Sequence, residues 1–454
     1  MKTFKKLSIL IVLAMLFVAV VPASAQLGAT DISSFTVQNV DVETATVTIH
    51  FYAEDGSVIT PSVLNNSQPN PFDLAPGESW EVYLPAIPDD QLADGRYSVV
   101  IESSARVVTI ANLIGQGDIY FNGSYSGFDG GDDTFYLPAV VYNFYTWYSL
   151  ISVQNVGTDV ADVTVTITCQ DGTVGTLTAT DVPVNTAHHF DLETTVPIGF
   201  EANPACNGSA AITADQPIVA VDNQTAPTGG NTQSYSGVAS GDPTVFIPAL
   251  YNSYYGWNGS VNIRKLGAGD TTVTATYSDG DPASTCDLTD AAPSCLLYMP
   301  SVHPTTGYFG ATVTNDAGLE LVVVVNAANG SQAQTYNGIG GGSSEVGIPS
   351  TMKAYYGWMT SFTCQNVGTV STDLHIAYDG YVSDEYDTAV LAVGEALEIF
   401  QPNETFLPDG HVGGATISAN VSGAEITCVV NFNNLTQMGS TVGDWSMSYN
   451  AFAK

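Results

Sequence analysis

One segment of this chain is written three times, and a segment repeated at domain spacing restricts the fold to a series of equivalent units. The copies are FYLPAVVYNFYTWYSLISVQNVGT (135–158), VFIPALYNSYYGWNGSVNIRKL (245–266) and VGIPSTMKAYYGWMTSFTCQNVGT (346–369). Their prolines (Pro138, Pro248, Pro349) and tryptophans (Trp147, Trp257, Trp358) recur about every 100 residues, the size of one β-sandwich domain. A second motif closes each unit: GSYSGF (123–128), QSYSGV (233–238), QTYNGI (334–339) and MSYNAF (447–452). It occurs four times because the first unit opens at SFTVQNV (34–40) and lacks the Pro-to-Trp lead-in of the others.

Inside the units, ATVTIHFYAEDGSV, DVTVTITCQDGTV, TTVTATYSDGD and TDLHIAYDGYV alternate apolar and polar residues and end in Asp-Gly turns. This is the pattern of half-buried strands joined by tight hairpins. No segment outside the first 25 residues carries a sustained helical period. The expectation is an all-β chain: a tandem array of four immunoglobulin-like β-sandwich domains over 26–128, 135–238, 245–339 and 346–454. Linkers of roughly six residues reach little beyond 20 Å, so the units are expected end to end, as a rod. Each lead-in is expected to seal its unit against the one before.

Residues 1–25 carry Lys2, Lys5 and Lys6, an apolar run to Val21 and then Ala23-Ser24-Ala25. That is the layout of a secretory signal peptide, which makes Gln26 the first mature residue and the chain a secreted, extracellular or cell-surface protein without a transmembrane anchor. With 45 acidic and 9 basic residues the net charge is −36, so nucleic acid is excluded as a partner by repulsion. In an oxidising compartment six cysteines pair. Their positions relative to the repeat give Cys169 with Cys206, Cys286 with Cys295, and Cys364 with Cys428, each contributing about 2.7 to 4.3 kcal/mol on the chain-entropy model.

Candidate sites are few. The junction aromatics Tyr145, Trp147, Tyr255, Trp257, Tyr356 and Trp358 suit either packing between units or stacking on a sugar face. Asp129, Asp132 and Asp133, and Asp279 with Asp281, are the candidate Ca²⁺ ligands, although Asp-Gly is also ordinary turn chemistry. His188 and His189 alternate along a strand and cannot chelate one ion together. No catalytic motif or cofactor fingerprint is present, so no enzymatic role is expected.

The strand pair QNVGTDVADVTVT (154–166) resembles CARDB-like and related immunoglobulin-like modules of secreted prokaryotic cell-surface proteins. The resemblance implies adhesive, spacer or cell-envelope roles. The resulting expectation is a structural protein of the cell surface or of an extracellular filament, sheath or surface layer, associating with itself or with other surface proteins. If the lead-in is a strand, the first unit exposes an unpaired edge, a template for a strand donated head to tail by a neighbour. The alternative is an adhesin that binds carbohydrate or host through its aromatic groups or end loops.

Overall fold

A computed structural model describes residues 11–16, 30–116, 121–202, 205–226, 230–330, 332–380, 386–434, 436–437 and 443–454. The described chain is all-β, with antiparallel sheets and only short helical turns such as Met299–Val302. No sheet crosses a repeat boundary. Strands between 11 and 126 make one sheet of five and one of four, and the three later repeats make sheets of seven, eight and nine strands. The alternation read from the sequence is the alternation of burial: in Ala161–Cys169, Val163, Val165 and Ile167 point inward and the intervening residues are half-buried or exposed. The three disulfides join Cys169 to Cys206, Cys286 to Cys295 and Cys364 to Cys428.

The lead-in is a strand in all three units that have one: Asp132–Tyr142, Thr244–Tyr254 and Glu345–Tyr355. Each hydrogen-bonds within its own unit, to Cys206–Ala226, Gly307–Asn315 and His411–Ala419 respectively. Its outer face packs on the unit that follows, while at the second lead-in Phe135 also meets Phe128 of the first unit edge-on at 5.9 Å. The lead-in of the second unit lies on the third, that of the third on the fourth, and that of the fourth on the first, against Thr30–Asn39 and Val107–Gln116. The apolar cores show the same order: Val324, Val429 and Ile110, equivalent positions in the third, fourth and first units, each join the core of the unit before in this cycle.

The expected rod is therefore replaced by a ring. Linkers too short to span a gap satisfy a rod and a closed circle equally well. Closure is set by side contacts that linker length does not encode.

The motif QN at the end of the Thr30–Asn39 strand and its equivalents now has a physical reading. Asn39, Asn155 and Asn366 each donate from one buried amide to two carbonyls, tying the following turn to Leu74, Val182 or Leu391 further along the unit at 2.7–3.0 Å. The glutamine beside them looks across a seam: Gln38 Nε2 lies 3.4 Å from Ala415 O, and Gln365 Nε2 3.5 Å from Ala311 O. The third unit has Arg264-Lys265 instead. Arg264 crosses to Ser209 Oγ at 2.6 Å and covers the Tyr136 ring, while Lys265 holds the turn through Gly267 O and Asp290.

At the centre, the closing-motif strands Phe121–Ser126, Asn231–Ser236, Gln332–Asn337 and Ser446–Asn450 pack in cyclic order around an axis. Gly123 permits the first approach, since a Cβ there would stand 2.2 Å from Ser234 Oγ. At one end of these strands Ser236 donates to Ser126 O, Asn337 to Ser236 O and Asn450 to Asn337 O, each unit gripping the one before. At the other end a single residue, through its carboxylate and its carbonyl, serves all four units. Fully buried Asp444 accepts from the backbone N–H groups of Thr232, Ala333 and Ser446, and its carbonyl accepts from Asn122.

A second buried acid, Asp222, accepts from Ser149 Oγ at 3.0 Å and Gln224 Nε2 at 2.9 Å. Loss of solvation pushes its carboxyl up to about 7, against those hydrogen bonds. Its folded value lies above the unfolded one. The folded chain therefore keeps a proton that the unfolded chain releases, and the associated stability, full below about pH 4, is lost as pH rises through 7. Asp222→Asn is expected to remove up to about 1.4 kcal/mol per pH unit of slope between pH 4 and 7, read from urea denaturation at a series of pH values.

Candidate functional site

The lead-in strands share a defect built by their proline. Pairing slips between Leu137 and Val140, Ile247 and Leu250, and Ile348 and Thr351, where Pro138, Pro248 and Pro349 cannot donate to the ladder. The bulge leaves one residue, Ala139, Ala249 or Ser350, with both backbone groups unpaired inside the protein. The tyrosine of the closing motif supplies both partners. Tyr449 Oη donates to Ser350 O at 2.7 Å and accepts from Ser350 N at 3.2 Å, and Tyr336 and Tyr235 do the same for Ala249 and Ala139.

Among the described residues the first unit has the tyrosine and no bulge. Tyr125 is buried to the same degree as its equivalents, but its hydroxyl has no hydrogen-bond partner among the described residues. The edge that a lead-in covers elsewhere is here the outer edge of Tyr97–Ser103. It is taken by Ile11–Leu16, in unbroken antiparallel register from Ile11 opposite Ser103 to Leu16 opposite Ser98. Those six residues come from the segment read as a secretory signal; its other residues lie outside the described part of the chain. They also lie against the second unit, at the seam where the other lead-ins meet their successors.

The junction aromatics form the second feature. Tyr254-Tyr255-Gly256-Trp257 and Tyr355-Tyr356-Gly357-Trp358 are two-residue hairpin turns with both central residues left-handed (Tyr255 φ 47, Gly256 φ 85; Tyr356 φ 49, Gly357 φ 87). Asn or Asp is the usual first residue of such a turn, and tyrosine there is strained. The strain recurs at Tyr145 (φ 50), followed by Thr146 (φ 67) in place of glycine. Tyr145, Tyr255 and Tyr356 are 83–84 % exposed. Each meets the preceding ring edge-on at 4.7–4.8 Å. Trp257 is buried and Trp147 and Trp358 are half-buried, so the tryptophans pack and the tyrosines project.

Beneath one hairpin, a cleft of about 210 Å³ opens between the second and third units. Tyr145, Trp147 and Tyr298 give it aromatic walls, and Asn258, Asn262 and Gln233 give it amides. Asn262 is 4 % exposed and its Nδ2 has no hydrogen-bond partner among the described residues. At the other two lead-in seams the residue paired across from the Asn262 position is a glutamate, Glu398 or Glu81, pushed upward by burial; here it is Leu296.

The remaining candidates separate. His188 and His189 occupy neighbouring positions of one strand, so their side chains leave on opposite faces; His189 pairs with Ser152 Oγ at 2.9 Å, and burial pushes it down to about 3. Asp129, Asp132 and Asp133 are exposed, and Asp132 and Asp133 hydrogen-bond their neighbours in the chain. Asp279 and Asp281 do lie together, beside His303, a residue no spacing rule connects to them. No family model and no curated protein sequence matches this chain.

The tyrosines give a differential test. Tyr449→Phe strands two buried backbone groups and is expected to cost about 1–3 kcal/mol, whereas Tyr125→Phe removes an unpartnered hydroxyl and is expected to be neutral or stabilising. Denaturation midpoints of the two variants check this.

Proposed function

We propose that this chain is a secreted, non-catalytic structural protein of the cell surface or of an extracellular filament, sheath or surface layer, built from four immunoglobulin-like sandwiches of the CARDB-like kind. In this reading residues 1–25 are an export signal, and their removal vacates the edge of Tyr97–Ser103. A strand from a neighbouring molecule then replaces Ile11–Leu16. The observation that carries the reading is the unpartnered Tyr125 hydroxyl, since its three equivalents all grip the bulge of a lead-in strand. A donor with an apolar-x-apolar-Pro-small pattern satisfies that hydroxyl, and Ile11–Leu16, paired without a bulge, does not supply it. Intermolecular addition of this kind propagates head to tail.

A second reading, a carbohydrate-binding surface adhesin, is supported by the strained, projecting tyrosines and the uncharged aromatic–amide cleft. Sugars are bound by ring faces and amide hydrogen bonds, and copies spaced around a ring add avidity.

The first reading is tested with the chain 26–454 and a peptide spelling Glu345–Tyr355. Saturable binding, a raised melting temperature and fibres by electron microscopy at high concentration are expected. A monomer that ignores the peptide overturns it. For the second, wild type is expected to bind members of a glycan array, with Tyr255→Ala weakening that binding about tenfold and leaving the melting temperature unchanged.

A further inference from the structure

The third unit contains a cluster that neither reading uses. Thr271–Tyr277 ends in the turn Ser278-Asp279-Gly280-Asp281, and the connection after Met299–Val302 places His303 over it. His303 Nε2 stands 3.2 Å from Asp279 Oδ2 and 3.5 Å from Asp281 Oδ2. This is the one group of three His, Cys, Asp or Glu side chains among the described residues whose ligand atoms converge.

The imidazole is prepared as a ligand. Its Nδ1 lies 2.8 Å from Thr305 O. A carbonyl only accepts, so Nδ1 carries the proton and the Nε2 lone pair faces the carboxylates. Asn252 fixes that carbonyl, donating to Thr305 O and His303 O at 2.9 and 3.0 Å. The ring is stacked on Phe309 at 3.9 Å and flanked edge-on by Tyr277 at 4.6 Å. His303 is 4 % exposed, and neither its Nε2 nor the buried Asp281 Oδ2 has a hydrogen-bond partner among the described residues. A buried ring nitrogen this close to two carboxylates is repulsive unless a positive charge, a proton or a metal ion, stands between them.

We infer that Asp279, Asp281 and His303 bind a divalent transition-metal ion of the Zn²⁺ class. Metal–ligand bonds of about 2.0–2.1 Å in a tetrahedron place neighbouring ligand atoms about 3.3 Å apart, and the two nitrogen–oxygen separations fall on either side of that length. The 3.5 Å separation is too long for a hydrogen bond. One imidazole with two carboxylates suits Zn²⁺ or its neighbours in the first transition row, whereas Ca²⁺ requires six to eight oxygens. The Asp279 and Asp281 side chains are 30 % and 24 % exposed, which leaves the fourth position open to water. The ion ties the turn after one strand to the connection before another.

Metal-free chain titrated with ZnCl₂ in a calorimeter is expected to bind one equivalent in the micromolar range or tighter. The melting temperature should rise with Zn²⁺, fall back with chelator and not respond to Ca²⁺. Co²⁺ should give the intense visible bands of a four-coordinate site. Asp279→Asn with Asp281→Asn, on the partly exposed side, is expected to leave the metal-free melting temperature within a few degrees, weaken Zn²⁺ at least 100-fold and abolish the cobalt bands. A wild type that binds no Zn²⁺ overturns the assignment, as does a double variant that binds it equally well. If the double variant unfolds, Asp281→Asn alone decides by the same affinity and cobalt readouts.

Discussion

A strand has two faces, and the lead-in strand uses both. Its edge is held to its own sheet by backbone hydrogen bonds, one face turns side chains into its own core and the other carries side chains into the next unit. The burial of Glu345–Tyr355 is accordingly almost unbroken over Val346–Lys353 instead of alternating. Each unit with a lead-in thereby fixes the position of its successor, and three such contacts, the last reaching back to the first unit, define a closed circle together with the packing of Phe121–Ser126 on Asn231–Ser236. The proline bulge and its tyrosine follow from the same constraint. A strand buried on both faces cannot leave a backbone group unpaired, so the place where Pro349 breaks the ladder needs an internal partner.

Much of this was legible in the sequence. The period-two pattern, the turn residues and the disulfide pairs all follow from the residues themselves and their place in the repeat. The ring was not legible. Nothing in QNV distinguishes a glutamine that faces solvent from one that, like Gln38 or Gln365, faces Ala415 or Ala311. The direction of lead-in packing was inverted for the same reason: recurrence at every junction says that the segment meets a neighbour and does not say which. Tyr125 aligns with Tyr235, Tyr336 and Tyr449, but what its hydroxyl meets depends on a bulge in a strand the first unit lacks. His303 lies more than twenty positions from Asp279 and Asp281, with no motif to join them.

The third unit departs from its siblings in a coherent way. Arg264-Lys265 replaces Gln-Asn and Leu296 replaces the seam glutamate, so this unit carries its own buried cation against Asp290 and loses a buried acid at the neighbouring cleft. In a chain with so few cations, placing two at one seam changes the local field there. The buried acids elsewhere, Asp222 and Asp444, are both pushed upward by burial, so each on its own favours the folded chain as pH falls.

Ring closure also decides how the molecule bears load. The strand pair formed by Phe452–Ala453 lies on Glu345–Tyr355, which itself rests on Thr30–Asn39, so the first and last strands of the repeat array share one seam. Tension applied between them is not passed in series through four sandwiches, as it is in a string of beads. It falls first on that one interface, whose parting turns the circle into an open arc while every sheet stays intact. Such a molecule behaves as a clasp and not as a spring.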